Sequence, residues 1–132
     1  MQDLTLFAAI VATVLFAAMA AFQATLAAGA PVGAHVLGGR HSGVLPPQLR
    51  VFSGIAAALL VGFALVVLAR AGVVGSPVGI AGLLGPASWL IGGFLVLNTL
   101  GNLASKSRFE RTVLAATTAV LAVLCGVVAL NA

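Results

Sequence analysis

LTLFAAIVATVLFAAMAAFQATLAA, Leu4 to Ala28, contains no charged residue. A helix crossing a bilayer needs about 20 consecutive apolar residues, so this stretch is long enough to span one. Three more follow, Val51 to Ala69, Pro86 to Ala104 and Thr112 to Leu130. In a chain of 132 residues the four leave little outside lipid. The predicted fold class is all-α: one transmembrane domain over residues 1–132, a four-helix bundle with a glycine-rich loop between helices one and two.

Composition agrees. Hydrophobic residues make up 62% of the chain and charged residues 6%, against about 25% charged in an ordinary soluble domain. The net charge of +4 comes from six basic and two acidic residues. The basic residues lie between spans, without a dense patch or interleaved aromatics, so no nucleic acid partner is expected. Cys125 is the single cysteine and lies inside the last span, which removes disulfides and cysteine metal sites. His35 and His41 have no third ligand in sight, so no metal is expected, and no motif calls for a cofactor. The residues before Leu4 lack a basic n-region and the apolar run exceeds a signal h-region, so the first span reads as an uncleaved helix. Heavy use of Ala, Val, Gly and Arg, with one Lys and no Tyr, matches a high-GC bacterial genome and a plasma-membrane location.

Orientation follows from charge. Four spans place the first and third loops on one side, with Arg40, Arg50, Lys106, Arg108 and Arg111; the other side carries only Arg70. Basic residues close to helix ends stay in the cytoplasm, so both termini are expected outside. Trp89 then falls near the outer interface.

Small residues at four-residue spacing, Gly54, Ala58 and Gly62 in the second span and Ala115, Ala119, Ala122 and Gly126 near that spacing in the fourth, offer faces for close helix packing. A faint internal echo pairs Arg50 with Arg111, and Ala58 and Leu60 with Ala119 and Leu121, as in two parallel hairpins.

The loop from Gly29 to Gln48, GAPVGAHVLGGRHSGVLPPQ, is the longest interruption. Val32, Val36, Leu37, Val44 and Leu45 are too apolar to prefer water, and the glycines permit tight turns. An ordered loop folded on the helix ends is expected, with Pro46 and Pro47 leading into the second helix. His35, Arg40 and His41 in this loop are candidates for contacting lipid headgroups or another anion.

In the third span Asn98, Gly101, Asn102 and Ser105 share one face. Gln23, Ser53, Glu110 and Arg111 come to the same side of the membrane, and Arg50 stands at the mouth of the second helix. The cluster reads either as interhelical hydrogen bonding or as a ligand site of Gln23, Arg50, Asn98, Asn102, Ser105, Glu110 and Arg111. Glu110, flanked by Arg108 and Arg111, is expected to form an ion pair with one of them or with Arg50. No nucleophile, base and orienting acid stand at interpretable positions, so no enzyme is expected.

The run NTLGNLASKSRFER, Asn98 to Arg111, with GAPVG and GGRHSGVLPPQLR and the four-span layout, resembles a family of small uncharacterised bacterial membrane proteins over essentially the whole chain. The resemblance implies no catalytic residues; it implies that the asparagine helix and the glycine loop belong to one recurring design. The expected function is a small oligomeric channel or transporter-like protein that binds a small solute or ion at the polar cluster. The alternative is an accessory or structural subunit of a larger membrane complex. Expected partners are membrane lipids and either further copies of the chain or another membrane protein.

Orientation is directly measurable. In a Cys125→Ser background, a cysteine replacing Arg40 should react with an impermeant maleimide only from the cytoplasmic face, and one replacing Ala132 only from outside. A cytoplasmic C-terminus would reverse the assignment.

Overall fold

The computed structural model describes residues 1–132. Its elements are α1 (Gln2–Ala27), α2 (Pro47–Arg70), α3 (Leu84–Leu103) and α4 (Ala115–Asn131), with no strand. A π-helical turn over Glu110–Leu114 precedes α4, and the chain is already helical from Arg108. α1 has 26 residues and α2 has 24, which at about 1.5 Å per residue outreach a hydrocarbon core of about 30 Å. All four helical segments are long and apolar enough to cross a membrane. The protein is an all-α integral membrane protein.

Each helix begins and ends within four residues of its apolar stretch. α2 starts at Pro47, where the fixed φ of proline suits a first helical turn and the missing N–H has no intrahelical acceptor to lose. α3 stops at Leu103, before the polar Ser105–Ser107 segment.

The bundle is two hairpins. α1 packs most extensively on α2 and α3 on α4, α1 joins the pairs through α4, and α2 and α3 touch far less. In lipid no hydrophobic force draws apolar helices together, so small residues that allow close backbone approach decide which faces meet. Ala8, Ala9 and Ala12 of α1 are fully buried, and with Phe16 they lie in one core with Leu60 and Val67 of α2, Leu95 of α3, and Leu121 and Val128 of α4. Phe7, Val14, Leu65, Leu90 and Leu97 point outward. Within the bilayer the Thr99 and Thr118 hydroxyls, 2.8 Å apart, link α3 to α4.

The small-residue stripes are used unevenly. Ala115 is buried and Ala119, Ala122 and Gly126 half-buried; the α4 seam runs through Thr118, Leu121, Cys125 and Val128 instead. On α2 a Cβ added to Gly54 would meet the Ala27 Cβ at 3.8 Å, whereas one at Gly62 would meet nothing within 4 Å.

The loop between α1 and α2 is folded. Two short 3-10 turns, Gly33–His35 and Leu37–Gly39, sit over a small cluster of Leu26, Val36 and Leu45, flanked by Phe22, Val32 and Leu49. The Gly33 N–H donates to the Gly43 carbonyl at 2.8 Å and closes the loop on itself. This is where a glycine is required: a Cβ on Gly33 would lie 2.7 Å from both the His41 and Gly43 carbonyl oxygens.

Gly33→Ala should therefore cost on the order of 1–3 kcal/mol, the range of overpacking. Gly62→Ala has room and exchanges a poor helix former for a good one, so it should be neutral or stabilising by up to about 1 kcal/mol. Thermal denaturation of both variants in the same detergent checks the contrast; equal midpoints would mean the loop does not bear on stability.

Candidate functional site: a polar cleft under the glycine-rich loop

α1 ends, α2 begins, α3 ends and α4 begins at the same end of the bundle, where the glycine-rich loop meets the α3–α4 connection. The link is Glu110, which is only 9% exposed. Its Oε1 accepts from the Gly38 N–H at 2.8 Å and from the Ser105 hydroxyl at 2.7 Å, and its Oε2 accepts from the Leu37 N–H at 3.1 Å. All three partners are donors, as an acceptor-only carboxylate requires. Leu37 and Gly38 both adopt left-handed backbone, φ 51° and 75°, and this curls their successive N–H groups toward one point. Such a concavity binds anions; here the anion is the chain's own side chain. Left-handed backbone costs an L-residue roughly 1–2 kcal/mol, and charge-assisted hydrogen bonds to Glu110 offset it at Leu37.

The expected ion pair of Glu110 with an arginine is not formed. Arg50 Nε donates to the Ala27 carbonyl at 3.0 Å, at the negatively polarised C-terminus of α1. Arg111 donates to the Ser105 and Lys106 carbonyls at 3.1 and 3.0 Å. Both guanidiniums satisfy carbonyls that a helix end or turn leaves unpaired, and the carboxylate is left to the loop. Arg50, in the first turn of α2, thus ties back to the end of α1, and Arg111 ties to the connection just before it.

Ser107 completes the junction. Its hydroxyl donates to the His35 carbonyl at 2.6 Å and faces the Glu110 N–H at 3.4 Å, while its own N–H donates to the Ser105 hydroxyl at 3.0 Å. Ser107-x-x-Glu110 has the form of a capping box, but the glutamate arm is diverted from the serine N–H to Leu37 and Gly38. The π turn that begins at Glu110 closes its backbone hydrogen bonds one residue further along the chain than an α-helix does, a local irregularity common at functional positions.

Beside this junction lies a cleft of about 560 Å³ lined by Asn98, Asn102, Ser105 and Glu110, with Arg40 and Lys106 supplying cations. Gly101 also lines it, so the four positions expected on one α3 face do come together. The asparagines bond to each other, Asn102 Nδ2 to Asn98 Oδ1 at 3.2 Å. That bond lies within one helix and ties no helices together; Thr99 and Thr118 do that. Gln23 and Ser53 line a neighbouring groove rather than the cleft. Arg50 and Arg111 line neither. Of the three loop candidates His35, Arg40 and His41, only Arg40 lines the cleft: His35 packs its ring on Phe109 at 6.0 Å, and His41 buries its Nδ1 without a partner.

Sequence reasoning missed Lys106 as a cleft residue, having counted it only as a topology charge. It also missed the backbone N–H groups of Leu37 and Gly38 and the bridging Ser107. The Ser107-x-x-Glu110 spacing was the one readable signal among these. Comparison of the chain with family models, curated proteins and solved structures finds no match.

Replacing Glu110 tests the junction. Glu110→Ala removes every tie to Leu37 and Gly38, so trypsin should cut after Arg40 at least about tenfold faster, the factor for 1.4 kcal/mol of local stability. Glu110→Gln keeps one acceptor oxygen and should fall between. Unchanged cleavage in both variants would show that Glu110 does not hold the loop, and that its apolar cluster and the Ser107–His35 bond suffice.

Proposed function

We propose that this membrane protein binds an anionic ligand in the cleft between the glycine-rich loop and the end of α3, with that end in the cytoplasm and both termini outside. The observation that carries the reading is the charge arrangement of the cleft. Arg40 and Lys106 line it, while the one carboxylate there is already engaged by two backbone N–H groups and a hydroxyl. The free charge is positive. Asn98 and Asn102 add amide groups that orient a ligand. The role is binding and passage: the one hydroxyl in the cleft, Ser105, hydrogen-bonds Glu110, and that carboxylate is spent on holding the loop. Four thin helices enclose little space, so passage across the bilayer would require several copies, in a channel or transporter-like assembly of a bacterial plasma membrane protein of the kind the sequence resembles.

A second reading, an accessory subunit of a larger complex, draws on the outward α2 face at Gly62, where nothing approaches within 4 Å. A stoichiometric foreign membrane protein on copurification would favour it; a homo-oligomer would favour the first reading.

The test is ligand-dependent stabilisation of the purified protein. Binding to the folded state raises stability by about 2.7 kcal/mol at a hundredfold excess over Kd. A panel of phosphate, glycerol phosphate, citrate and anionic phospholipid should contain at least one member that raises the melting midpoint, and Arg40→Gln with Lys106→Gln should abolish the rise. No rise with any member, or a rise that survives the double variant, would overturn the cleft as an anion site.

A further inference from the structure

We infer that the anion bound in the cleft is the headgroup of an anionic phospholipid, whose acyl chain enters sideways from the bilayer into a groove between α2 and α3. The inference rests on the reading of the cleft as an anion site and goes beyond it by naming the ligand class and its route.

The groove has a volume of about 380 Å³ and a mostly apolar lining. It exists because α2 and α3 are the neighbouring helices that pack least. Phe52, Ile55 and Leu59 on α2 and Phe94 on α3 line it, yet all four are exposed, between 46% and 56%. In a bilayer an exposed apolar wall faces lipid, so the groove opens laterally. Its far end is closed where the Phe63 and Phe94 rings meet edge to face, centroids 5.6 Å apart. From Phe52 to Phe63 the helix advances roughly 16 Å at about 1.5 Å per residue, a length suited to much of one acyl chain.

The other end of the groove runs into the cleft. Leu37, Asn98, Asn102 and Glu110 line both, so the apolar slot and the cationic pocket are two ends of one amphipathic site. A water-soluble ion has no use for the slot. A phospholipid uses both: the chain displaces no water the groove needs, and the phosphate comes beside Arg40 and Lys106. Five basic residues and only Glu110 among acidic ones, at this end of the bundle, add attraction for an anionic headgroup over a zwitterionic one.

The experiment is native mass spectrometry of the full-length protein, delipidated in detergent and offered phosphatidylglycerol, phosphatidylcholine with the same acyl chains, and soluble glycerol phosphate. One phosphatidylglycerol per chain should be retained at least fivefold over phosphatidylcholine, with glycerol phosphate failing to compete. Arg40→Gln with Lys106→Gln should reduce phosphatidylglycerol to the phosphatidylcholine level. Leu59→Trp, which fills the groove from its lipid-exposed side, and Ala56→Trp, which fills it from within, should each lower phosphatidylglycerol retention; melting curves show which of the two is folded and is to be read. Equal retention of both lipids, unaffected by the double variant, would mean annular lipid only and would overturn the inference. Binding of glycerol phosphate that matches phosphatidylglycerol and ignores the tryptophan variants would overturn it too, while leaving the cleft an anion site. Binding of neither anion would overturn the inference, and the cleft as an anion site falls with it only when phosphate and citrate also fail to raise the melting midpoint.

Discussion

The carboxylate of Glu110 is the constraint on which the polar end of this protein depends. One side chain at the start of the fourth helix accepts hydrogen bonds from a loop more than seventy residues earlier in the chain and from Ser105 next to it. Without it, the left-handed backbone at Leu37 has no compensating partner, and of the polar ties between the glycine-rich loop and the second hairpin only the Ser107 hydroxyl on the His35 carbonyl is left. Leu37 and Gly38 in turn form one wall of the cleft. The position of Arg40, two residues further on, follows from the same tie. Glu110 thus shapes a cationic pocket by consuming the only negative charge near it.

The helices above this end obey a different rule. In a bilayer, burial against protein and exposure to acyl chains are both apolar environments, so shape rather than hydrophobicity sorts the faces. Alanines on α1 let α2 and α4 approach closely, and Phe16 fills the space they share. On the α2–α3 side the helices pack sparsely, and Phe52, Ile55, Leu59 and Phe94 stand half exposed along the open seam. The Phe63–Phe94 contact lies at one end of the seam and the polar residues Asn98, Asn102 and Glu110 at the other.

This sorting by shape also explains what could be read from the sequence. The four spans were legible because apolar length is the signal for crossing lipid, and each expected span lies within a few residues of an observed helix. The shared face of Asn98, Gly101, Asn102 and Ser105 was legible because polar residues in an apolar helix stand out and helical spacing fixes their direction. Which apolar face turns inward was not legible: when lipid and core are equally apolar, hydrophobic periodicity fades, and the stripe through Gly62 could not be told from a buried one. The Glu110 junction was hidden for another reason. Its donors are main-chain N–H groups of Leu37 and Gly38, which every residue type possesses, and nearby arginines offered a more obvious partner.

Charge at the polar end is divided by position. Arg50, at the start of α2, is held by the Ala27 carbonyl at the end of α1, and Arg111 by the Ser105 and Lys106 carbonyls of the preceding connection, through hydrogen bonds of 3.0–3.1 Å to carbonyls that lack intrahelical donors. Arg40 and Lys106 sit in the connections and line the cleft. With Arg50 and Arg111 held by backbone carbonyls and Glu110 held by the loop, the charge left to the cleft is that of the two connections, and it is positive.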